Sequence, residues 1–360
     1  MRVHLRCESE GTNRSLTAQM HPHGEREPVH AQRPCTVSFV PLTDLSLADL
    51  RAYRPDVAEP ADFDAFWRRT LDEARAAATE PVVAPVDSPI TQLIVEDLTF
   101  SGFGGEPIRG WITRPKTDQP LPAVVEYIGY NGGRGVPGER LQWAAAGYVH
   151  ILMDTRGQGS GWGTGGDTPD PHGSDGSVPG FMTRGIRHPD TYFYRRLFTD
   201  AARLVDTAAA LPFVDATRIA VTGGSQGGGI TLAAAALHPG VFAAMPDVPF
   251  LCHFRRSVEM TPDHPFLEIE RYLAVHRTEV AQVFETLSYF DGVNFARRIA
   301  APALFSVGLM DGIVLPSTVF AAFNHCEAAD KTIEVYEFNG HEGGQTEQWA
   351  RQTRWLAERL

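Results

Sequence analysis

The sequence predicts an α/β fold: a mostly parallel sheet with helices on both faces, preceded by antiparallel strands. Three observations carry that expectation. From about residue 121, short apolar β-type runs alternate with helical stretches, as in a sheet buried on both sides. Ahead of them, "QLIVEDLTF" (92–100) and "IRGWITRP" (108–115) can pair as antiparallel neighbours through "SGFGGEP". Hydrophobic residues form 43% of the 360, enough to bury a large core.

Residues 1–40 are polar, histidine-rich and without periodicity, and are expected to be a flexible extension ahead of one domain over 41–360. They hold no apolar stretch of the kind a signal peptide needs, so the expected location is cytoplasmic. "ADFDAFWRRTLDEARAAA" (61–78) places Phe63, Phe66, Trp67 and Leu71 on one helical face, with Asp62 as its cap. The strands "PAVVEYIG" (122–129) and "YVHILMD" (148–154) follow, then a glycine-rich loop and a helix over 195–211. "RIAVTG" (218–223) runs into the helical "GITLAAAALH" (229–238), and "AAMPDV" (243–248) is the next strand. Beyond a 250–290 insertion come "PALFSVG" (302–308), the helix 317–326, "TIEVYEF" (332–338) and a helix from about Thr346. Such sheets place their sites beyond the carboxyl ends of the strands.

Composition excludes several classes. A net charge of −12 disfavours a surface that grips nucleic acid or anionic lipid. Cys7, Cys35, Cys252 and Cys326 are scattered with no CxxC pair, so no metal or redox motif is expected, and no cofactor. Gly161-Trp162-Gly163-Thr164-Gly165-Gly166 fits G-x-G-x-x-G, but no helix opens at its end, and the dinucleotide reading fails on that context.

Gly223-Gly224-Ser225-Gln226-Gly227 fits G-x-S-x-G between a strand and a helix, the setting of a nucleophile elbow. There a serine in a strained conformation lifts its hydroxyl clear of the sheet, and Gly223 and Gly227 remove side chains that would clash. The following helix aims free N–H groups at the spot where an oxyanion would develop. A serine hydroxyl needs a histidine to take its proton and an acid to hold that histidine. In the α/β-hydrolase fold the chain order is serine, acid, histidine. His341, in "FNGHEGG" after the last strand, stands where the order requires. His238 instead ends a helix before Pro239, where it is expected to cap carbonyls. Asp311 follows the penultimate strand and is the preferred acid; Asp247, between Pro246 and Pro249, is the runner-up. Asp291, after an aromatic helical pattern, reads as a cap or turn. A second oxyanion donor is expected from "EYIGYNGGRG", around the main-chain N–H of Tyr130, with that of Gln226 as its partner.

With these residues assembled, residues from about 41 to 360 closely resemble the acetyl xylan esterase / cephalosporin C deacetylase family of carbohydrate esterases. The resemblance rests on "RGQ" (Arg156-Gly157-Gln158), "GGSQGG" (223–228) and His341-Glu342, with "YIGYNGGRG", "PGFMTRGI", "DVPFLCHFRR" and "LSYFDGVNFA" beside them. It implies an α/β-hydrolase fold, a Ser225–Asp311–His341 triad, and oxyanion donation by the amides of Tyr130 and Gln226. It implies removal of acetyl groups from xylo-oligosaccharides and cephalosporin C, a homohexamer as the working form, and a bracing role for Arg156 and Gln158. Two other readings stay open on residues alone, a serine peptidase of the prolyl oligopeptidase type and a non-catalytic binding protein on the same scaffold.

Overall fold

The computed structural model describes residues 44–360. The expected extension over 1–40, with Cys7 and Cys35, lies outside them. Among the described residues the strand-forming runs become β1 (Val82–Pro85), β2 (Leu93–Ser101), β3 (Pro107–Pro115), β4 (Leu121–Tyr127), β5 (Val149–Met153), β6 (Val214–Gly224), β7 (Val241–Asp247), β8 (Ala303–Gly308) and β9 (Lys331–Tyr336). They join into one sheet in the order β1-β2-β3-β5-β4-β6-β7-β8-β9. From β5 to β9 every pairing is parallel, whereas β1, β2, β3 and β5 pair antiparallel in turn. The expected sheet and its antiparallel edge are therefore present, with the short β1 as an addition. "VVAP" follows Pro81, ends in Pro85 and is too short to show a period, which is why the sequence does not announce it.

The helices are α1 (Leu47–Ala52), α2 (Phe63–Ala76), α3 (Gln142–Ala145), α4 (Phe193–Ala210), α5 (Gln226–Leu237), α6 (Phe254–Met260), α7 (Leu267–Val275), α8 (Val280–Ser288), α9 (Gly292–Ala296), α10 (Pro316–His325) and α11 (Gln345–Ala357). Side chains alternate across a strand, so each strand of a covered sheet feeds two cores. Ala123, Val125 and Tyr127 of β4 join the larger core with α4 and α5, while Val124 joins Trp143, Trp355 and Leu356 on the opposite face.

The apolar stripe of α2 packs as its spacing predicts: Phe63, Phe66, Trp67 and Leu71 are all buried. Trp67 meets Phe290 and Phe295 edge-on at 5.5 Å each and donates its indole N–H to the carbonyl of Tyr289 at 3.0 Å. Asp62 occupies the N-cap position but makes no capping bond there; its carboxylate accepts the Tyr289 hydroxyl at 2.5 Å instead. The tertiary partner thus outcompetes the local one. His238 likewise departs from expectation: its imidazole pairs with Asp206 at 2.8 Å rather than capping carbonyls.

The 250–290 insertion is helical, comprising α6, α7 and α8, with Asp291 capping α9 through the Val293 amide. Asp291 also accepts the amides of His253 and Phe254, which joins the two ends of the insertion. No helix among the described residues is long and apolar enough to cross a membrane.

Candidate active site

Ser225 sits between the end of β6 and the start of α5 with φ 58° and ψ −118°, a backbone conformation that a residue with a Cβ adopts only under strain. Three bonds hold it there. Its N–H donates to the carbonyl of Asp247 on β7, and its own carbonyl accepts the amides of Gly229 and Phe250, each at 3.0 Å. The tight approach of α5 to β4 explains the glycines: a Cβ on Gly227 would run into the Tyr127 carbonyl, and one on Gly223 into the backbone of Gly227. Gly224 is different, since a Cβ there would meet nothing within 4 Å.

The loops after β8 and β9 bring the acid and the base to this hydroxyl. Leu309 and Met310 donate their amides to the carbonyls of Tyr336 and Asn339, which joins the two loops directly. Asp311 is wholly buried, and one carboxylate oxygen accepts the amides of Ile313 and Val314, both at 2.9 Å. The other oxygen lies 2.8 Å from Nδ1 of His341, whose Nε2 lies 2.9 Å from Oγ of Ser225. An ionised carboxylate can only accept, so it selects the tautomer with the proton on Nδ1. Nε2 is then left with its lone pair facing the serine hydroxyl. The structure therefore assembles Ser225, His341 and Asp311, distant in sequence, into one directed chain of hydrogen bonds.

Asp247, the runner-up acid, is engaged elsewhere: its carboxylate accepts the side-chain amides of Gln348 and Gln352 at 2.9 and 2.8 Å. Burial, with Glu126 nearby, pushes it up to about 7 against the pull of those two bonds, although one edge reaches the cavity. Glu126 shows the opposite balance, because Arg140 and His150 outweigh its burial and hold it near 2.

The amides of Tyr130 and Gln226 flank the serine turn, and neither donates a loop or turn hydrogen bond among the described residues. Gln226 is fully buried, and its side chain pairs reciprocally with that of Gln158 at 3.0 and 3.1 Å while also reaching the Ile128 carbonyl. Gln158 accepts the Asn131 amide at 2.7 Å and so ties the elbow to the Tyr130 loop. Arg156 acts one step further out. It is fully buried and grips Asp200 of α4 through two bonds of 2.6 and 2.8 Å, with Glu106 and Asp170 completing its partners.

Above the serine opens a cavity of about 840 Å³, walled by Tyr130, Trp162, Phe181, Glu268, Ile313 and His341 among others. Trp162 and Glu268 were not singled out as site residues from sequence. Glu268 lies on the insertion and carries no motif; Trp162 lies inside the glycine stretch that failed as a dinucleotide site. Among the described residues no group of three or more His, Cys, Asp or Glu is placed to hold a metal ion.

The profile of the acetyl xylan esterase (AXE1) family matches residues 40–359. A solved acetyl xylan esterase from a Paenibacillus sp. is 40% identical, with a TM-score of 0.82 over 87% of this chain and 99% of its own. Acetyl xylan esterase 1 from a Thermoanaerobacterium sp. is 34% identical, with a TM-score of 0.81 over 88% and 99%. An acetyl esterase of Xylanibacter ruminicola is 26% identical over 299 residues; the match takes in 80% of this chain but 65% of that relative's length. These solved relatives place the architecture among α/β-hydrolases, antiparallel leading strands included.

Two outcomes follow from the packing around the elbow. Gly227→Ala should destabilise the protein by about 3 kcal/mol or more, because the Tyr127 backbone cannot yield cheaply. Gly224→Ala should stay within about 1 kcal/mol of wild type in the same denaturant titration. Equal losses would mean that close approach is not what the glycines serve. The raised Asp247 carboxyl stabilises the fold most below its ordinary range near 3.8, and that contribution drains as pH rises through about 7. The melting temperature of wild type minus that of Asp247→Asn should therefore fall between pH 5 and pH 8; a flat difference would contradict the assignment.

Proposed function

This chain belongs to the acetyl xylan esterase family, and on that premise we propose that it hydrolyses acetyl esters of small saccharides with Ser225 as nucleophile. The observation that carries the reading is the directed chain Asp311–His341–Ser225 at the foot of the cavity. In the first half-reaction His341 Nε2 takes the hydroxyl proton as Oγ bonds to the ester carbonyl carbon. Asp311 holds the imidazole in place and stabilises the imidazolium that forms. The carbonyl oxygen becomes an anion and is met by the amides of Tyr130 and Gln226. Collapse of this intermediate breaks the bond to the sugar oxygen, which leaves with the proton from His341, and Ser225 retains the acetyl group. In the second half-reaction His341 deprotonates a water that attacks the acetyl carbonyl; acetate departs and the proton returns to Ser225.

The substrates proposed are acetylated xylo-oligosaccharides and cephalosporin C, with a cytoplasmic homohexamer as the working form. The names of the relatives support the first of these, since each is an acetyl xylan esterase or an acetyl esterase. No nucleic acid, membrane or cofactor enters the scheme.

Ser225→Ala should lower kcat for p-nitrophenyl acetate by roughly a million-fold if the three residues act as a unit. Asp311→Asn should lower it by about ten-thousand-fold, because an amide no longer selects the productive tautomer. Near-normal hydrolysis by either variant would remove that residue from the scheme. Rates on acetylated xylo-oligosaccharides, cephalosporin C and longer acyl esters, read beside a proline-containing peptide, separate the esterase from a peptidase. Sedimentation of the full chain reads the oligomeric state.

A further inference from the structure

The oxyanion scheme asks the Tyr130 amide to point at one spot, and Tyr130 lies in a loop with Gly129, Asn131, Gly132, Gly133 and Gly135 around it. What fixes that amide is found in two segments that the scheme does not otherwise use. The first is the glycine stretch 161–166, which interlocks with the Tyr130 loop: Gly161 donates its amide to the Asn131 carbonyl at 3.0 Å, and Gly135 donates to the Gly165 carbonyl at 2.8 Å. The fit is close enough that a Cβ on Gly132 would strike the Trp162 ring and one on Gly133 the Gly165 backbone. From this stretch the Trp162 indole N–H donates to the carbonyl oxygen of Tyr130 at 2.7 Å. The second segment is α7, where Glu268 is only 2% exposed. Its carboxylate accepts the Tyr130 hydroxyl at 2.7 Å and the Met182 amide at 3.0 Å, while the same hydroxyl accepts the Phe181 amide at 2.6 Å.

Tyr130 is thus held by its carbonyl at one end and its phenol at the other. The Asn131 amide, on the same peptide unit as that carbonyl, is fixed in turn by Gln158 at 2.7 Å. With the carbonyl and the side chain of one α-carbon both pinned, tetrahedral geometry fixes the position of its nitrogen, and the Gly129 carbonyl, on the same planar peptide unit as the Tyr130 N–H, accepts the Gly132 amide at 3.1 Å, which restrains the remaining rotation. Resting on the esterase reading above, we propose that Trp162 and Glu268 are positioning residues for the oxyanion site, acting through the backbone of Tyr130. The bare α-carbon of Gly132 then has a purpose: it admits the Trp162 ring against the turn that carries the oxyanion amide.

The test uses the full chain and p-nitrophenyl acetate, which carries no sugar and so reports the reacting centre rather than saccharide contacts. Trp162→Phe keeps the ring face and removes the N–H; Glu268→Ala removes the phenol's acceptor; Glu268→Gln keeps one. A displaced amide costs rate in proportion to lost transition-state contact, so kcat/KM should fall about ten- to a hundred-fold for Trp162→Phe and Glu268→Ala. Affinity for a trifluoromethyl ketone, whose adduct places an anionic oxygen at the same spot, should fall by the same factor. Glu268→Gln should lose less than Glu268→Ala. A purely structural role would lower the melting temperature and leave both readouts within about threefold of wild type per titrated active site, against the tenfold or more that a displaced amide costs, and that result overturns the inference. So does a loss confined to acetylated saccharides. If Glu268→Ala fails to fold, Trp162→Phe decides alone. Ser225→Ala separates the levels: if it stays active, the esterase reading has failed, whereas if it is inactive and the other variants are unimpaired, only this inference has.

Discussion

The backbone at Ser225 is the constraint on which the rest of the site depends. A φ of 58° at a residue with a side chain is costly, of order 1–3 kcal/mol, and persists only where the surroundings over-determine it. Here the neighbouring strand supplies the anchor, through the Asp247 carbonyl, and the absence of side chains at Gly223 and Gly227 lets α5 press against β4. Every other group is placed relative to this turn. The first amide of α5 flanks the raised hydroxyl, and the loops after β8 and β9 converge on it.

The layers around the elbow share one physical logic: each group is held by hydrogen bonds at more than one point. Asp311 is oriented by two amides, Gln226 is locked by its reciprocal amide pair with Gln158, and Tyr130 is held at both ends. Arg156 extends this outward, spending its buried charge on Asp200 of α4 and on Glu106 beyond β2, so that helix, hairpin and loop are tied at one point. A buried guanidinium is tolerable only because carboxylates surround it.

How much of this was legible in the sequence follows from the range of each interaction. The elbow is local: strand, glycines, serine and helix occupy one short stretch, and both the strand ends and the steric demand can be read from it. The order of Ser225, Asp311 and His341 is topological, since each follows a strand of a parallel sheet and must emerge at its carboxyl edge. Asp247 meets that topological criterion too, and only packing separates it from Asp311, because α11 delivers Gln348 and Gln352 to its carboxylate. The bonds of Tyr130 were not legible. Glu268 is 138 residues away on a helix with no distinguishing motif, and the glycines around Trp162 read as a failed ligand loop because their partner is another glycine loop. Asp62 and His238 went astray for a related reason, as each found a better partner across the fold than beside itself in the chain.

The central claim is that Ser225 carries the acyl group between the two half-reactions. It is tested most directly by mixing the protein with an activated acetyl ester, quenching in acid during turnover, and locating the added mass by peptide mass spectrometry. The account expects a single acetyl group on the peptide containing Ser225, appearing within the first turnover and vanishing when the ester is exhausted. Acetylation at another residue, or full turnover with no acetylated peptide even in a variant whose deacylation is slowed, would contradict it.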